Sequence, residues 1–257
     1  LELRRNRKLA FFELDNCKIY YEVFGKGNPL LLLHGNSVSS KLFDNYIDFY
    51  SDNFQVIIMD YPGHGKSDRL VSFRDDFWRY NASVAFHLMD LLGIEKFDVI
   101  GTSGGAMIGL NMCIMKPDRI GKIIADSFFG DYVTYLEAEK LTTNRQKAKN
   151  DFMTSQYWKF HHGDNWENVV DNDCNMMLSF TRKGFPTIWG DFSEIKSDVL
   201  LVATSTDELL PDILERLDVL SSKISKVSKK FYDYGRHTFM ITEKQEFRKI
   251  SMEFLLK

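Results

Sequence analysis

Cysteine is scarce in this chain: Cys17, Cys113 and Cys174 are the whole supply among 257 residues, and they lie far apart. That spacing excludes a disulfide framework and a zinc knuckle, and each cysteine reads as a small core residue in a reducing compartment. Long apolar runs are missing too. None reaches the roughly 20 residues that a helix needs to cross a bilayer, so no membrane span is expected. An excess of charge of either sign is also absent. The formal net charge is -3, which removes the electrostatic case for nucleic acid or an anionic membrane as partner. The opening stretch, residues 1–8, carries basic residues but no apolar segment behind them, so it does not read as a secretory signal and a cytoplasmic location is expected. There is no internal repeat and no low-complexity segment, and no feature sets an oligomeric state.

What is present is an apolar share of 44%, enough for a large packed core, laid out as an alternation. Residues 10–14 and 18–24 are β-rich runs split by Asp15-Asn16-Cys17 and read as an antiparallel hairpin. Residues 29–33 are apolar on both faces, as a buried parallel strand requires, and end in His34-Gly35-Asn36-Ser37. A short helix over 42–50 follows, then a strand over 55–60 that runs into a loop of turn formers at 61–68. Helical periodicity over 76–92 stops at Gly93. A strand at 97–100, a helix at 106–115 and a strand at 120–125 come next. The pattern then breaks: residues 128–192 are polar, aromatic and helix-prone. It resumes with a strand at 198–203, a helix at 211–222, a strand at 230–234 and a closing helix at 243–256. Lys223, Lys226, Lys229 and Lys230 read as a solvated loop. Strands alternating with helices predict an α/β fold with a mostly parallel sheet covered on both faces. The whole chain, 1–257, reads as one domain, with 128–192 inserted between two strands whose ends line one crevice.

The chemistry-bearing motif is Gly101-Thr102-Ser103-Gly104-Gly105, between the strand at 97–100 and the helix at 106–115. A serine on a sharp strand-to-helix turn needs flanking glycines because a Cβ would obstruct the close backbone contacts. The alternative is a glycine-rich turn whose serine caps the helix. The partners decide between them. A serine hydroxyl needs a base, and the base needs an orienting acid. His237 follows a predicted strand, on the rim that carries Ser103. His34 and His64 sit in glycine turns and read as backbone supports, His87 as a surface or packing residue, and His161 and His162 lack ligand spacing, so no metal is expected. Asp207 follows the strand at 198–203 and is the candidate acid, with Glu208 and Asp126 as fallbacks. Ser103, Asp207 and His237 fall in the chain order Ser, Asp, His, each after a strand. Gly63-His64-Gly65 lacks the Lys-Ser/Thr pair and third glycine of a phosphate loop. It reads as turn structure, with Ser67 or Asp68 capping the next helix.

Taken together, these pieces resemble the α/β-hydrolase family. The matching segments are His34-Gly35, Asp60-x-x-Gly63-x-Gly65-x-Ser67, Gly101-x-Ser103-x-Gly105, the strand before Asp207, and Gly235-Arg236-His237. The resemblance implies an eight-stranded, mostly parallel sheet, a triad of Ser103, His237 and Asp207, a helical cap over 128–192, and no cofactor. It also implies an oxyanion hole formed by the backbone N–H groups of Gly104 and Asn36, with Ser37 as a fallback. The stretch from His162 to Val170 is similar to small carboxylesterase-like members, including the valacyclovir-hydrolase type. That type carries Asp directly after its nucleophile, where this chain has Gly104, so amino-acid ester preference is not implied. Many members carry Gly three residues before the acid, where this chain has Thr204. Haloalkane dehalogenases and epoxide hydrolases carry Asp as nucleophile where Ser103 stands, although His34-Gly35-Asn36 resembles the dehalogenase turn. The expected reaction is hydrolysis of a small uncharged carboxylic ester through an acyl-enzyme, in an aromatic pocket with Trp158, Trp166 and Phe128 as candidate walls. A thioesterase, amidase or carbon–carbon bond hydrolase on the same triad, or a small-ligand receptor with little turnover, are the alternatives.

Overall fold

The computed structural model describes residues 8–257; the opening stretch before them, read above for a secretory signal, lies outside the described residues. Eight strands form one sheet: β1 (Lys8–Leu14), β2 (Cys17–Phe24), β3 (Asn28–Leu33), β4 (Phe54–Met59), β5 (Phe97–Thr102), β6 (Ile120–Asp126), β7 (Asp198–Thr204) and β8 (Val227–Tyr232). Their order is β1-β2-β4-β3-β5-β6-β7-β8. β2 pairs antiparallel with both of its neighbours, and all other pairings are parallel. The hairpin turn between β1 and β2 rests on Asp15 and Asn16, both at positive φ, with Leu14 opposite Cys17. Such a two-residue turn matches the twist of the strands it joins.

The period of a strand divides the core in two. Leu31, Leu33, Ile57, Val99, Ile123 and Leu201 face one layer, which includes α2 (Phe77–Leu91), α3 (Gly104–Met115) and α7 (Ile213–Ser221). Leu30, Leu32, Val56, Ile58, Ile100 and Leu200 face the other, made by α1 (Ile47–Ser51), α8 (Phe239–Thr242) and α9 (Lys244–Leu255). Alternate side chains of the same strands are thus buried on opposite faces, which is why β3 could be a run of leucines.

Between β6 and β7 lie three helices: α4 (Tyr135–Ala148), α5 (Phe152–His162) and α6 (Trp166–Arg182). α4 opens with a capping box in which Thr134 and Glu137 satisfy each other's backbone N–H groups. α6 lays Val169, Met176, Met177 and Phe180 onto the main core.

Two local expectations need correction. The last strand starts at Val227, so Lys229 and Lys230 stand on an exposed edge strand and not in a loop. Lysines suit that place because charge discourages another chain from pairing with the edge. The helix expected over 42–50 is split into a 3-10 turn, Ser40–Phe43, and the short α1.

Candidate active site

β5 passes into α3 through a single residue, Ser103, held at φ 54° and ψ -121°. A non-glycine residue there costs about 1–3 kcal/mol, and the neighbours enforce it. Ser103 N–H donates to the Asp126 carbonyl at 2.8 Å, and the Ser103 carbonyl accepts from Ala106 N–H at 3.0 Å. A Cβ on Gly101 would fall 2.3 Å from the Gly105 carbonyl oxygen, and one on Gly105 2.0 Å from that of Leu33. The glycines therefore let the turn sit directly on β3.

Ser103, Asp207 and His237 converge at the C-terminal ends of β5, β7 and β8. The His237 ring places Nδ1 2.8 Å from Asp207 Oδ2 and Nε2 3.2 Å from Ser103 Oγ. Asp207 is buried, and its other oxygen accepts from the N–H groups of Leu209 (2.9 Å) and Leu210 (3.1 Å). An ionised carboxylate accepts only, so it draws the proton to Nδ1 and leaves Nε2 free to accept from the serine. Glu208 accepts from the backbone N–H of His237 at 3.2 Å and does not bond the ring. Asp126 lies beneath the elbow, where it accepts from Thr102 Oγ1 (2.8 Å), Ser127 Oγ (3.0 Å) and Met240 N–H (3.2 Å). Burial pushes its carboxyl up to about 6.

The turn after β3 faces the elbow. A Cβ on Gly35 would lie 3.1 Å from Ser103 Cβ, and one on Gly104 would lie 3.1 Å from Asn36 N and 1.8 Å from Asn36 Oδ1. Asn36 therefore occupies the space that a side chain after Ser103 would fill. The Gly104 N–H opens α3, where the helix's unpaired N–H groups and dipole favour negative charge. The turn is pinned from below by His34, whose Nδ1 bonds the Gly35 carbonyl (2.8 Å) and whose own carbonyl accepts from the Tyr61 hydroxyl (2.8 Å). Burial pushes the His34 imidazole down to about 3, so the ring is neutral.

It is pinned from above by the inserted helices. Asp173 of α6 accepts from Asn36 Nδ2 (2.6 Å) and Ser37 Oγ (2.7 Å) and pairs with Arg145 of α4. Asn36 Oδ1 accepts from Trp78 Nε1 at 3.2 Å. His161 Nδ1 accepts from Ser39 N–H (3.0 Å), and His162 accepts from Gly65 N–H (3.1 Å) while bonding the Ser37 carbonyl (3.0 Å). Burial lowers these two imidazoles to about 4 and about 2.

A narrow cavity opens over Ser103, Gly104 and His237, walled by Trp78, Met107, Phe129, Leu141, Arg145 and Met177 among others. The three expected wall residues lie elsewhere. Trp158 and Trp166 stack on each other, centroids 5.6 Å apart, and with Val170 and Cys174 they close a separate cluster between α5 and α6. Phe128 is fully buried in the main core, and its neighbour Phe129 reaches the cavity instead. The loop at 61–68 also differs in detail. Ser67 Oγ accepts from Tyr20 N–H (3.0 Å) and Asp68 accepts from Lys18 N–H (2.8 Å), so both anchor β2, whereas α2 begins at Phe77. Among the described residues no group of three or more His, Cys, Asp or Glu is placed to hold a metal ion, and no helix is long and apolar enough to cross a membrane.

Residues 28–135 match the family described as alpha/beta hydrolase fold. A hydrolase from Pseudomonas aeruginosa shares the architecture, with a TM-score of 0.78 at 13% identity over 96% of this chain and 98% of that one. The chain has the α/β-hydrolase fold. A 2-hydroxy-6-oxo-6-phenylhexa-2,4-dienoate hydrolase of Comamonas testosteroni is 34% identical over 121 residues, 46% of this chain. That match spans 42% of the relative's own length. A 2-hydroxy-6-oxononadienedioate/2-hydroxy-6-oxononatrienedioate hydrolase of Paraburkholderia phymatum is 27% identical over 270 residues, 93% of this chain and 91% of that one.

Within this α/β-hydrolase fold, sequence reasoning missed Trp78, Arg145 and Asp173. Asp173 had a readable signal. It falls on the apolar stripe of α6 with Val169, Met176, Met177 and Phe180, where a charge has to meet a partner.

Proposed function

We propose that this chain is a serine hydrolase that cleaves small uncharged carboxylic esters through an acyl-enzyme. The observation that carries the reading is the unbroken line from Asp207 Oδ2 through the His237 ring to Ser103 Oγ, at 2.8 and 3.2 Å. In the proposed reaction Ser103 Oγ attacks the ester carbonyl carbon while His237 Nε2 takes the hydroxyl proton. Asp207 holds the imidazole orientation and stabilises the imidazolium. The oxyanion lies against the N–H groups of Gly104 and Asn36, each such donor being worth about 10²–10³ in kcat. Collapse expels the alcohol, which takes the proton from His237. Water then attacks the acyl-serine with His237 again as base, and collapse releases the acid as His237 returns the proton to Ser103 Oγ.

The cavity favours a neutral substrate. Its walls are mostly apolar, and the charge of Arg145 is already offset by buried Asp173. We read residues 128–192 as a cap over the site within a single domain, and the three unpaired, buried cysteines as suited to a reducing, cytoplasmic setting. A second reading, a carbon–carbon bond hydrolase, is favoured by the names of the relatives from Comamonas testosteroni and Paraburkholderia phymatum. A 2-hydroxy-6-oxo-dienoate carries a carboxylate, however, and the charge of the cavity-wall Arg145 is already shared with Asp173.

The test is a panel of p-nitrophenyl acetate and butyrate, an acyl thioester and a 2-hydroxy-6-oxo-dienoate, run with the wild type and Ser103→Ala. Steady multiple turnover of the neutral esters is expected, with loss of about 10⁴–10⁶ in kcat for the variant and no labelling by a fluorophosphonate. Preference for the dienoate would install the second reading. Binding without turnover would leave a receptor, and undiminished labelling of Ser103→Ala would refute the nucleophile.

A further inference from the structure

Asp173 holds the turn after β3 from outside the sheet. It sits on α6, fully buried, and its two oxygens meet three donors. Oδ1 accepts from Asn36 Nδ2, and Oδ2 accepts from Ser37 Oγ and from Arg145. Asn36 and Ser37 are consecutive, and 137 and 136 residues separate them from Asp173. The turn they form needs an external hold. Ser37 has φ 59°, in the left-handed region that side chains other than glycine avoid. Its hydroxyl is tied to Asp173 and its carbonyl to His162, so both restraints on this residue come from the inserted helices. The Asn36 amide is drawn between Asp173 on one side and Trp78 Nε1 on the other, which seats its oxygen in the space left by Gly104.

We propose that Asp173 is a positioning residue that aims the Asn36 N–H at the oxyanion, so that the oxyanion pocket is complete only while the inserted helices are seated on the sheet. The proposal rests on the serine-hydrolase reading and extends it to a residue that touches neither the triad nor the substrate. Only a carboxylate can accept from all three donors at once. The isosteric amide replaces one acceptor with a donor, which faces either Asn36 Nδ2 or Arg145 and repels it.

The test compares wild type, Asp173→Asn and the double variant Asp173→Asn with Arg145→Met, which removes the unpaired buried cation. Two ligands are used: a trifluoromethyl ketone, whose adduct with Ser103 carries the oxyanion, and the matching methyl ketone, which stays neutral. Asp173→Asn is expected to lower kcat on a neutral ester about 10–100-fold with KM within about threefold, and to weaken the trifluoromethyl ketone by the same factor. Methyl ketone affinity and the acid limb of the kcat/KM profile should not move. The double variant should regain thermal stability without regaining kcat. A role confined to stability would show the opposite, with kcat returning together with the melting temperature, and would overturn the proposal. Unchanged trifluoromethyl ketone affinity in Asp173→Asn would overturn it equally. If Asp173→Asn is insoluble, Ser37→Ala keeps the ion pair and takes its place: adduct affinity reduced about threefold or more supports the proposal, and equal affinity defeats it. A wild type that neither labels with fluorophosphonate nor turns over defeats the underlying reading instead, so the two failures are separable.

Discussion

The elbow at Ser103 and the seam where α4–α6 meet the sheet border the same cavity but are held by different forces. At the elbow the constraints are steric, backbone against backbone. Gly101 and Gly105 are required because backbone oxygens stand 2.3 and 2.0 Å from where their Cβ atoms would be. At the seam the constraints are polar and long-range: Asp173 with Arg145, Asn36 and Ser37, His161 with Ser39, and His162 with Gly65 and Ser37. A steric lock fails all at once. A polar lock is sensitive to charge and can be loosened one bond at a time. A region proposed to cap the site suits the second kind.

The sharpest way to break this contrast is at the glycines. Gly105→Ala sets a Cβ against the Leu33 backbone, which cannot move aside, and is expected to destabilise the fold by about 4 kcal/mol or more, read by chemical denaturation. Gly104→Ala sets its Cβ against the Asn36 side chain, which can move. That variant is expected to fold but to lose about 10²–10³ in kcat, because the turn proposed to hold the oxyanion is displaced. Equal stability losses in the two would erase the distinction between a wall of backbone and a wall of side chain.

The ionisable groups offer finer tests, of opposite sign. Asp126 beneath the elbow has its carboxyl raised from 3.8 to about 6 by burial. The folded chain therefore holds that proton more tightly than the unfolded chain. The group's contribution is greatest below pH 3.8 and is lost as pH rises through about 6. Relative to wild type, Asp126→Asn is expected to gain up to about 3 kcal/mol between pH 4 and pH 7. The seam histidines behave the other way. Burial lowers His161 from 6.5 to about 4, so its contribution is complete above pH 6.5 and is lost as pH falls toward 4. His161→Asn keeps an acceptor for Ser39 N–H without a titrating ring. From pH 6.5 to 5.5 it is expected to lose about 1 kcal/mol less stability than wild type, measured by thermal melts.

Much of the sheet was legible because burial on both faces leaves a plain mark. Leu30 to Leu33 and the strands around Val99, Ile123 and Leu200 could be read directly as buried parallel strands. The elbow was legible for the same kind of reason, since only glycine can stand where backbone oxygens are so near. The seam was much less so. Asp171 and Asp173 are two residues apart on one helix, yet Asp171 is half-buried and pairs with Lys149 while Asp173 is fully buried against the turn after β3. Trp158 and Trp166 are aromatic residues in the expected segment, but they stack on each other and leave the cavity to Trp78 from α2. Composition says that such side chains will be buried somewhere; it does not say against what.

By itself the sequence determined the order of strands and helices and the appearance of a serine, an acid and a histidine after strand ends, because each depends on periodicity or turn chemistry within a few residues; the glycines mark the turn at Ser103, although the Leu33 carbonyl that requires Gly105 comes from another strand. The tertiary structure alone decided which acid meets His237, which aromatic residues wall the cavity, and that a carboxylate on α6 holds the turn after β3. Those are choices among chemically equivalent side chains, made by which surfaces come into contact when distant segments fold together.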